Sequence, residues 1–194
     1  MQVIKLTKNN SADIIKMAVK VLRAGGAIVY PTETAYGLGA DFLNPKSVKK
    51  VYQIKGRDFK KQLSVMVSSL AMAKRLVKFD KLSLKLAKKH WPGALTLVLQ
   101  RKDTAKTLAL RISANQLATA IVKKIKNPLT ATSANLSGQG EFYSAAEIVS
   151  QFKNKKHQPD LIIDAGKLLK QKPSTIVKVI DDQINILRQG SVKV

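Results

Sequence analysis

Residues 25–39 read GGAIVYPTETAYGLG, and the order of types in this stretch decides the fold class. The Gly25-Gly26 pair stops a helix that runs back to Ser11, along which Ile14, Ala18, Val21 and Leu22 recur at helical spacing. Ala27–Pro31 is a short apolar run of the kind a strand buried on both faces requires. A helix delivered by a glycine stop into a buried strand is the α/β arrangement. The nine residues from Pro31 to Gly39 then gather three hydroxyl-bearing threonines and tyrosines, one carboxylate (Glu33) and two glycines. Two readings fit this segment. One is an ordinary turn; the other is a cradle of N–H and hydroxyl groups for an anionic or zwitterionic ligand.

Working outward, the pattern predicts strands at 3–6, 63–67, 95–100, 108–112, 128–133, 161–164, 175–180 and 184–188. It predicts helices from Pro45 to Lys55, over 69–90 in two pieces, over 116–125, and from a capping box at Ser144 and Glu147 to Phe152. Hairpin-like pairs interrupt the strand–helix alternation. The expectation is therefore one mixed β-sheet of about seven strands flanked by helices, in a mixed α/β (α+β) fold. No repeat or linker divides the chain, and a single domain over residues 1–194 is expected.

The chain has 194 residues with 45% apolar and 24% charged side chains, enough for a core and against disorder. Cysteine is absent, which excludes disulfides, thiolate nucleophiles and cysteine zinc sites. His90 and His157 have no metal-ligand spacing, so no protein metal site is expected. No apolar run approaches the roughly 18 residues of a membrane span, and a soluble, cytoplasmic protein is expected. The net charge of +23 invites anionic partners, nucleotides or nucleic acid, but it also fits a lysine-rich background, because 29 of the 35 cations are lysines spread along the chain. Arginine is scarce. Its planar fork suits carboxylate and phosphate, so an Arg inside a motif carries more information than a Lys.

Three further segments carry possible chemistry. Lys55-Gly56-Arg57, with Lys60 and Lys61, ends a helix, where cations favour the macrodipole or clamp phosphate. Thr130–Gly138 (TATSANLSG) lies at the carboxyl end of a strand, where ligands of open α/β sheets collect, although an Asx or Ser turn also fits. Arg111 interrupts the apolar strand LALRI, and Arg188 sits in ILRQG; each either faces solvent or pairs with an anion. No paired carboxylates and no Ser-His-Asp set can be assembled.

Taken together, YPTETAYGLGADF, KGRDFKKQLSVMV, HWPGALTLVL, LALRIS, TATSANLSG, PSTIV and ILRQG resemble, in order and spacing, the YrdC-like family of threonylcarbamoyl-AMP synthases, over about Ala27 to Gly190. The resemblance implies the short single-domain form and a strongly twisted mixed sheet whose concave face forms a basic cavity. It also implies a reaction of L-threonine, bicarbonate and ATP, with magnesium, that gives threonylcarbamoyl-adenylate and pyrophosphate. Downstream transferase proteins would carry the group to tRNA. By the same resemblance Thr34, Arg111, Ala131 and Ser174 bind threonine. Lys55 and Arg57 do the catalytic work on the ATP phosphates, and Lys61, Thr107, Ser133, Asn135 and Arg188 complete the ATP site. The sequence departs from the usual pattern at Asp58, Gln62, Ala94, Ser113, Asn115 and Gln116. The reading from another class is a non-catalytic protein of this fold that binds duplex or ribosomal RNA through its charge.

Overall fold

The structure is a computed structural model that describes residues 1–194. Helix α1 (Ser11–Arg23) buries Ile14, Ala18, Val19 and Leu22 along one face, and the chain leaves it through Gly25 at a φ of 84°. Strand β2 (Ala27–Pro31) follows, buried at every position as its apolar run requires. It turns into β3 (Tyr36–Ala40), antiparallel to it with Tyr30 opposite Gly37. Strand β9 (Leu161–Asp164) lies parallel to β2 on its other side, and β1 (Gln2–Lys5) is parallel to β9. With β8 (Thr132–Ser133) beside β3, these five strands make one sheet in the order β1-β9-β2-β3-β8.

A second sheet has the order β11-β10-β5-β6-β4-β7. Its strands are β4 (Val65–Met66), β5 (Leu95–Gln100), β6 (Thr107–Arg111), β7 (Leu129–Thr130), β10 (Thr175–Ile180) and β11 (Gln183–Arg188). The β10–β11 hairpin turns at Asp181 and Asp182, at φ of 50° and 56°, the two-residue geometry that positive-φ Asp tolerates. The expected single sheet of about seven strands is thus corrected to two sheets of five and six strands. The physical reason lies in residues 128–133. They read as one strand, but the chain crosses at Ala131, so Leu129–Thr130 pairs with β4 while Thr132–Ser133 pairs with β3.

The helices are α2 (Pro45–Lys55), α3 (Leu70–Leu76), α4 (Lys81–His90), α5 (Gln116–Ile125) and α6 (Ala145–Phe152), close to their expected bounds. Asn44, Ser69, Asp80, Asn115 and Ser144 cap their N-termini through side-chain oxygens. Alternation along β2 and β9 feeds two cores. Ile28, Tyr30, Leu161 and Ile163 join the core shared with the second sheet, α1 and α5. Ala27, Val29 and Ile162 join the core under α2 and α6. Both faces of the central strands are therefore covered.

Gly37 and Gly39 are glycines for a packing reason. The Tyr30 ring lies across them: a Cβ at position 39 would meet Tyr30 Cε1 at 2.8 Å and the Thr130 carbonyl oxygen at 2.7 Å. No other residue fits without moving the neighbouring backbone.

Candidate functional site

A cavity of about 290 Å³ opens beside the β2–β3 turn, where the 128–133 segment passes between the sheets. Its wall includes Thr34, Arg57, Arg111, Ala131, Ser133, Ser174 and Arg188, seven of the residues expected from sequence. Widely separated parts of the chain supply its three arginines and its hydroxyls, which is why no single motif announced it.

Each arginine is held by one edge. Arg111, at the end of β6, donates from Nη2 to Glu33 Oε1 at 2.6 Å, and Glu33 Oε2 accepts from the Ser113 hydroxyl. Arg57, just past the C-terminus of α2, donates from Nε to the Lys61 carbonyl at 3.0 Å and from Nη2 to the Gln62 carbonyl at 3.1 Å. Gly56, in the left-handed conformation at φ 55°, turns the chain so that Arg57 reaches this position. Arg188, at the end of β11, donates from Nε and Nη2 to the Ser174 carbonyl at 3.0 and 2.9 Å and from Nη2 to Ser174 Oγ at 3.1 Å. Partial burial lowers the Arg188 pKa from its ordinary value; the Glu141 charge acts against this and the Arg111 charge with it. In all three, Nη1 has no protein partner. Fixed forks with a free edge suit planar oxyanions.

The hydroxyl groups are positioned as well. Thr32 Oγ1 donates to the Ala35 carbonyl at 2.6 Å and sits 3.0 Å from Thr34 Oγ1, which ties the turn that carries Thr34. Ser174 Oγ lies 3.0 Å from Thr96 Oγ1. Ala131 is anchored through its N–H to the Ser64 carbonyl at 2.7 Å, and its carbonyl accepts from the Ser64 hydroxyl.

Four expected residues stand elsewhere. Lys55 is 2% exposed, and its Nζ donates to the carbonyls of Ser133 and Asn135 at 2.6 and 2.7 Å and to Asn135 Oδ1 at 3.1 Å. All three of its donors hold the 133–135 turn, so the expected direct hold on phosphate is not what the amine's geometry offers. Burial, then the Arg57 charge, lower its pKa to about 8, with Glu141 acting against them. Asn135 is buried behind the same turn, accepting from Lys55 and from the Ser133 hydroxyl. Lys61 is exposed and meets the site through its carbonyl alone, as the acceptor for Arg57. Thr107 pairs with Gln100 at the far end of β6 from Arg111, away from the cavity wall.

Sequence reasoning missed Tyr30, Thr96 and Glu141, which also line the cavity together with Thr32 of the candidate loop. Tyr30 was read as a plain strand residue, and Thr96 lies inside an apolar strand. Glu141, a carboxylate whose charge acts on Lys55 and Arg188, lies in a polar loop with no pattern. A larger open depression of about 980 Å³ passes Lys8, Ser11 and Asn115 with Glu33 on its wall, and it contains no arginine.

This fold and site define a two-sheet α/β protein with a cavity lined by three arginines. The chain belongs to the Sua5/YciO/YrdC family, since the family model described as "Telomere recombination" matches residues 20–190. A Methanocaldococcus jannaschii protein provisionally named threonylcarbamoyl-AMP synthase is 32% identical over 196 residues, 100% of this chain and 93% of its own length. The threonylcarbamoyl-AMP synthase of Pyrococcus abyssi is 32% identical over 187 residues, 92% of this chain, and the chain spans only 54% of it. Among solved structures, P. abyssi Sua5 complexed with L-threonine is similar at a TM-score of 0.89 and 30% identity, covering 98% of this chain and 58% of that one. Escherichia coli YciO is similar at 0.83 and 27% identity, covering 97% and 94%.

Proposed function

We propose that the protein is an L-threonylcarbamoyladenylate synthase, a nucleotidyltransferase acting on L-threonine, bicarbonate and ATP in the cytoplasm. Its product, threonylcarbamoyl-AMP, would be passed to transferase proteins that modify tRNA. The observation that carries this reading is that three of the chain's six arginines stand around one cavity, each with its Nη1 edge free. One carboxylate and a triphosphate are the anions such a set would match. No helix is long and apolar enough to cross a membrane.

The chemistry needs no side-chain nucleophile. The threonine amine adds to carbon dioxide with loss of a proton, or to bicarbonate with loss of water, to give a carbamate. A carbamate oxygen then attacks the α-phosphorus, and pyrophosphate leaves. The protein's work is alignment, which contributes ~7–11 kcal/mol when it makes a multi-substrate reaction effectively unimolecular, together with charge neutralisation. Thr34, Ser174 and Arg111 would hold threonine; Arg57 and Arg188 would face the phosphates; Ser133 would meet the nucleotide.

Magnesium fits as a substrate-borne ion. Mg²⁺ commonly takes one or two carboxylates plus phosphate oxygens, and Glu141 is a carboxylate on this cavity wall not tied to an arginine. When bound it would neutralise phosphate charge during displacement. The RNA-binding reading rests on net charge alone.

Lys55 makes a pH prediction. Above pH about 8 the amine of the free protein loses a proton and keeps two N–H groups for three acceptors, which loosens the turn that carries Ser133. The expected result is a fall in kcat/KM for ATP as pH rises through about 8, since that ratio reports the free enzyme. Stability should move the other way. From about 8 to the ordinary lysine value the unfolded chain binds a proton that the folded chain has released, so this group's contribution rises with pH. Parallel activity and melting profiles check both signs.

The reading itself is tested by pyrophosphate release from ATP with magnesium, with L-threonine and bicarbonate added singly and together. Release that requires both supports it; release indifferent to both overturns it.

A further inference from the structure

Tyr30 carries a hydroxyl that the fold does not use. The residue is 1% exposed, and its ring belongs to the larger core, stacked across β3 where Gly37 and Gly39 leave room. A Cβ at Gly37 would meet Tyr30 Cζ at 3.0 Å and Oη at 3.2 Å, so the absence of a side chain there is what lets the phenol extend to this point. Oη makes no hydrogen bond to any protein group, although Tyr30 forms part of the cavity wall. The other long tyrosine of this hairpin behaves differently: Tyr36 Oη donates to the Gly166 carbonyl at 2.8 Å and accepts from the Ala165 N–H at 2.9 Å.

The enclosed polar atoms without a partner are Ser47 Oγ and His90 Nε2, so Tyr30 Oη, at the end of an otherwise buried side chain, is open to the cavity, where phenylalanine would offer no donor. The ring end also lies among charges. Arg111 and Glu33 are the two groups whose charges act on the phenol, while burial raises its pKa and keeps it protonated as a donor. Glu33 has both oxygens engaged, one by Arg111 and one by Ser113. Arg111 keeps N–H groups that no protein atom accepts, and it lines the same cavity as Tyr30.

We propose that Tyr30 Oη donates a hydrogen bond to the carboxylate of the amino-acid substrate paired with Arg111, which makes Tyr30 a residue of the substrate site. This rests on the synthase reading above. The pairing of a fixed guanidinium with a neutral phenol gives the carboxylate donors from two directions, and charge-assisted bonds of this kind are the stronger ones.

The test is Tyr30→Phe beside wild type, with the dissociation constants of L-threonine and of L-threoninamide measured by calorimetry and the Tm of each free protein. The expected result is roughly 10- to 100-fold weaker L-threonine binding, from loss of a hydrogen bond to a charged group. L-threoninamide, which lacks the carboxylate, should distinguish the two proteins by less than that. The Tm should stay level or rise, because the variant removes an unpartnered polar group. Unchanged L-threonine affinity overturns the proposal, and so does an affinity loss accompanied by a fall in Tm, the mark of a packing role. Wild type that binds no L-threonine overturns the synthase reading itself, and the Tyr30 proposal with it.

Discussion

Arg111→Gln is expected to lower kcat/KM for L-threonine by roughly 30- to 5,000-fold, the range for removing one partner of a buried, hydrogen-bonded charge pair. Arg111 is 9% exposed, so its charge is little screened, and its Nη2 is fixed on Glu33 at 2.6 Å. The substitution has two effects that must be separated. It removes the proposed carboxylate anchor, and it leaves Glu33 as a part-buried anion held by Ser113 alone. Adding Glu33→Gln removes the stranded charge. The double variant should therefore recover Tm relative to Arg111→Gln while threonine-dependent turnover stays low. Recovery of turnover together with Tm would show that Arg111 serves the fold and not the substrate. Steady-state kinetics and melting curves on the three variants decide between these.

The second large effect is expected at Arg57. Arg57→Ala should reduce kcat by roughly 100- to 1,000-fold, the scale for one preorganised donor aimed at charge that develops in a transition state. The fold should change little. The side chain is only partly buried, and what it gives up is two bonds to backbone carbonyls in an exposed loop, about 1–3 kcal/mol in sum. Asp58 follows immediately, but its Oδ1 accepts from the Lys60 N–H, so it orders the loop that supplies Arg57's carbonyl partners. Lysine at 57 should rescue poorly, because a single ammonium cannot hold both carbonyls and present a second edge. Turnover near wild type in Arg57→Ala would remove this residue from the phosphate site.

What the sequence made legible was set by patterns that are local. The run Ala27–Pro31 could only be buried, and the two glycines before it could only end a helix. The intrusion of Arg111 into LALRI left open whether it faces solvent or pairs with an anion, because its partner, Glu33, is 78 positions away in a loop read as a possible cradle. Strand β3 was read as turn and loop because YGLGA carries two glycines; its reason for glycine, the Tyr30 ring, lies on the neighbouring strand. The crossing at Ala131 was invisible for a similar cause, since two-residue strands have no period to detect.

The site followed the same rule. The resemblance brought Thr34, Arg57, Arg111, Ala131, Ser133, Ser174 and Arg188 to one list, and the structure brings them to one wall. Lys55 shows the limit. Its spacing from Arg57 identifies a cation near the turn but not the direction of its amine, which is settled by three acceptors about 80 positions later in the chain. Tyr30 shows the converse: a residue that looks like core by every sequence measure ends in a hydroxyl at the cavity.

The most direct measurement is the identity of the product formed from ATP, L-threonine and carbon-13 bicarbonate with magnesium, by mass spectrometry. The account predicts an adenylate whose mass includes threonine and one carbon from bicarbonate, formed with pyrophosphate and absent when either co-substrate is left out. Intact ATP, or AMP without the labelled carbamoyl-threonine adduct, would contradict it.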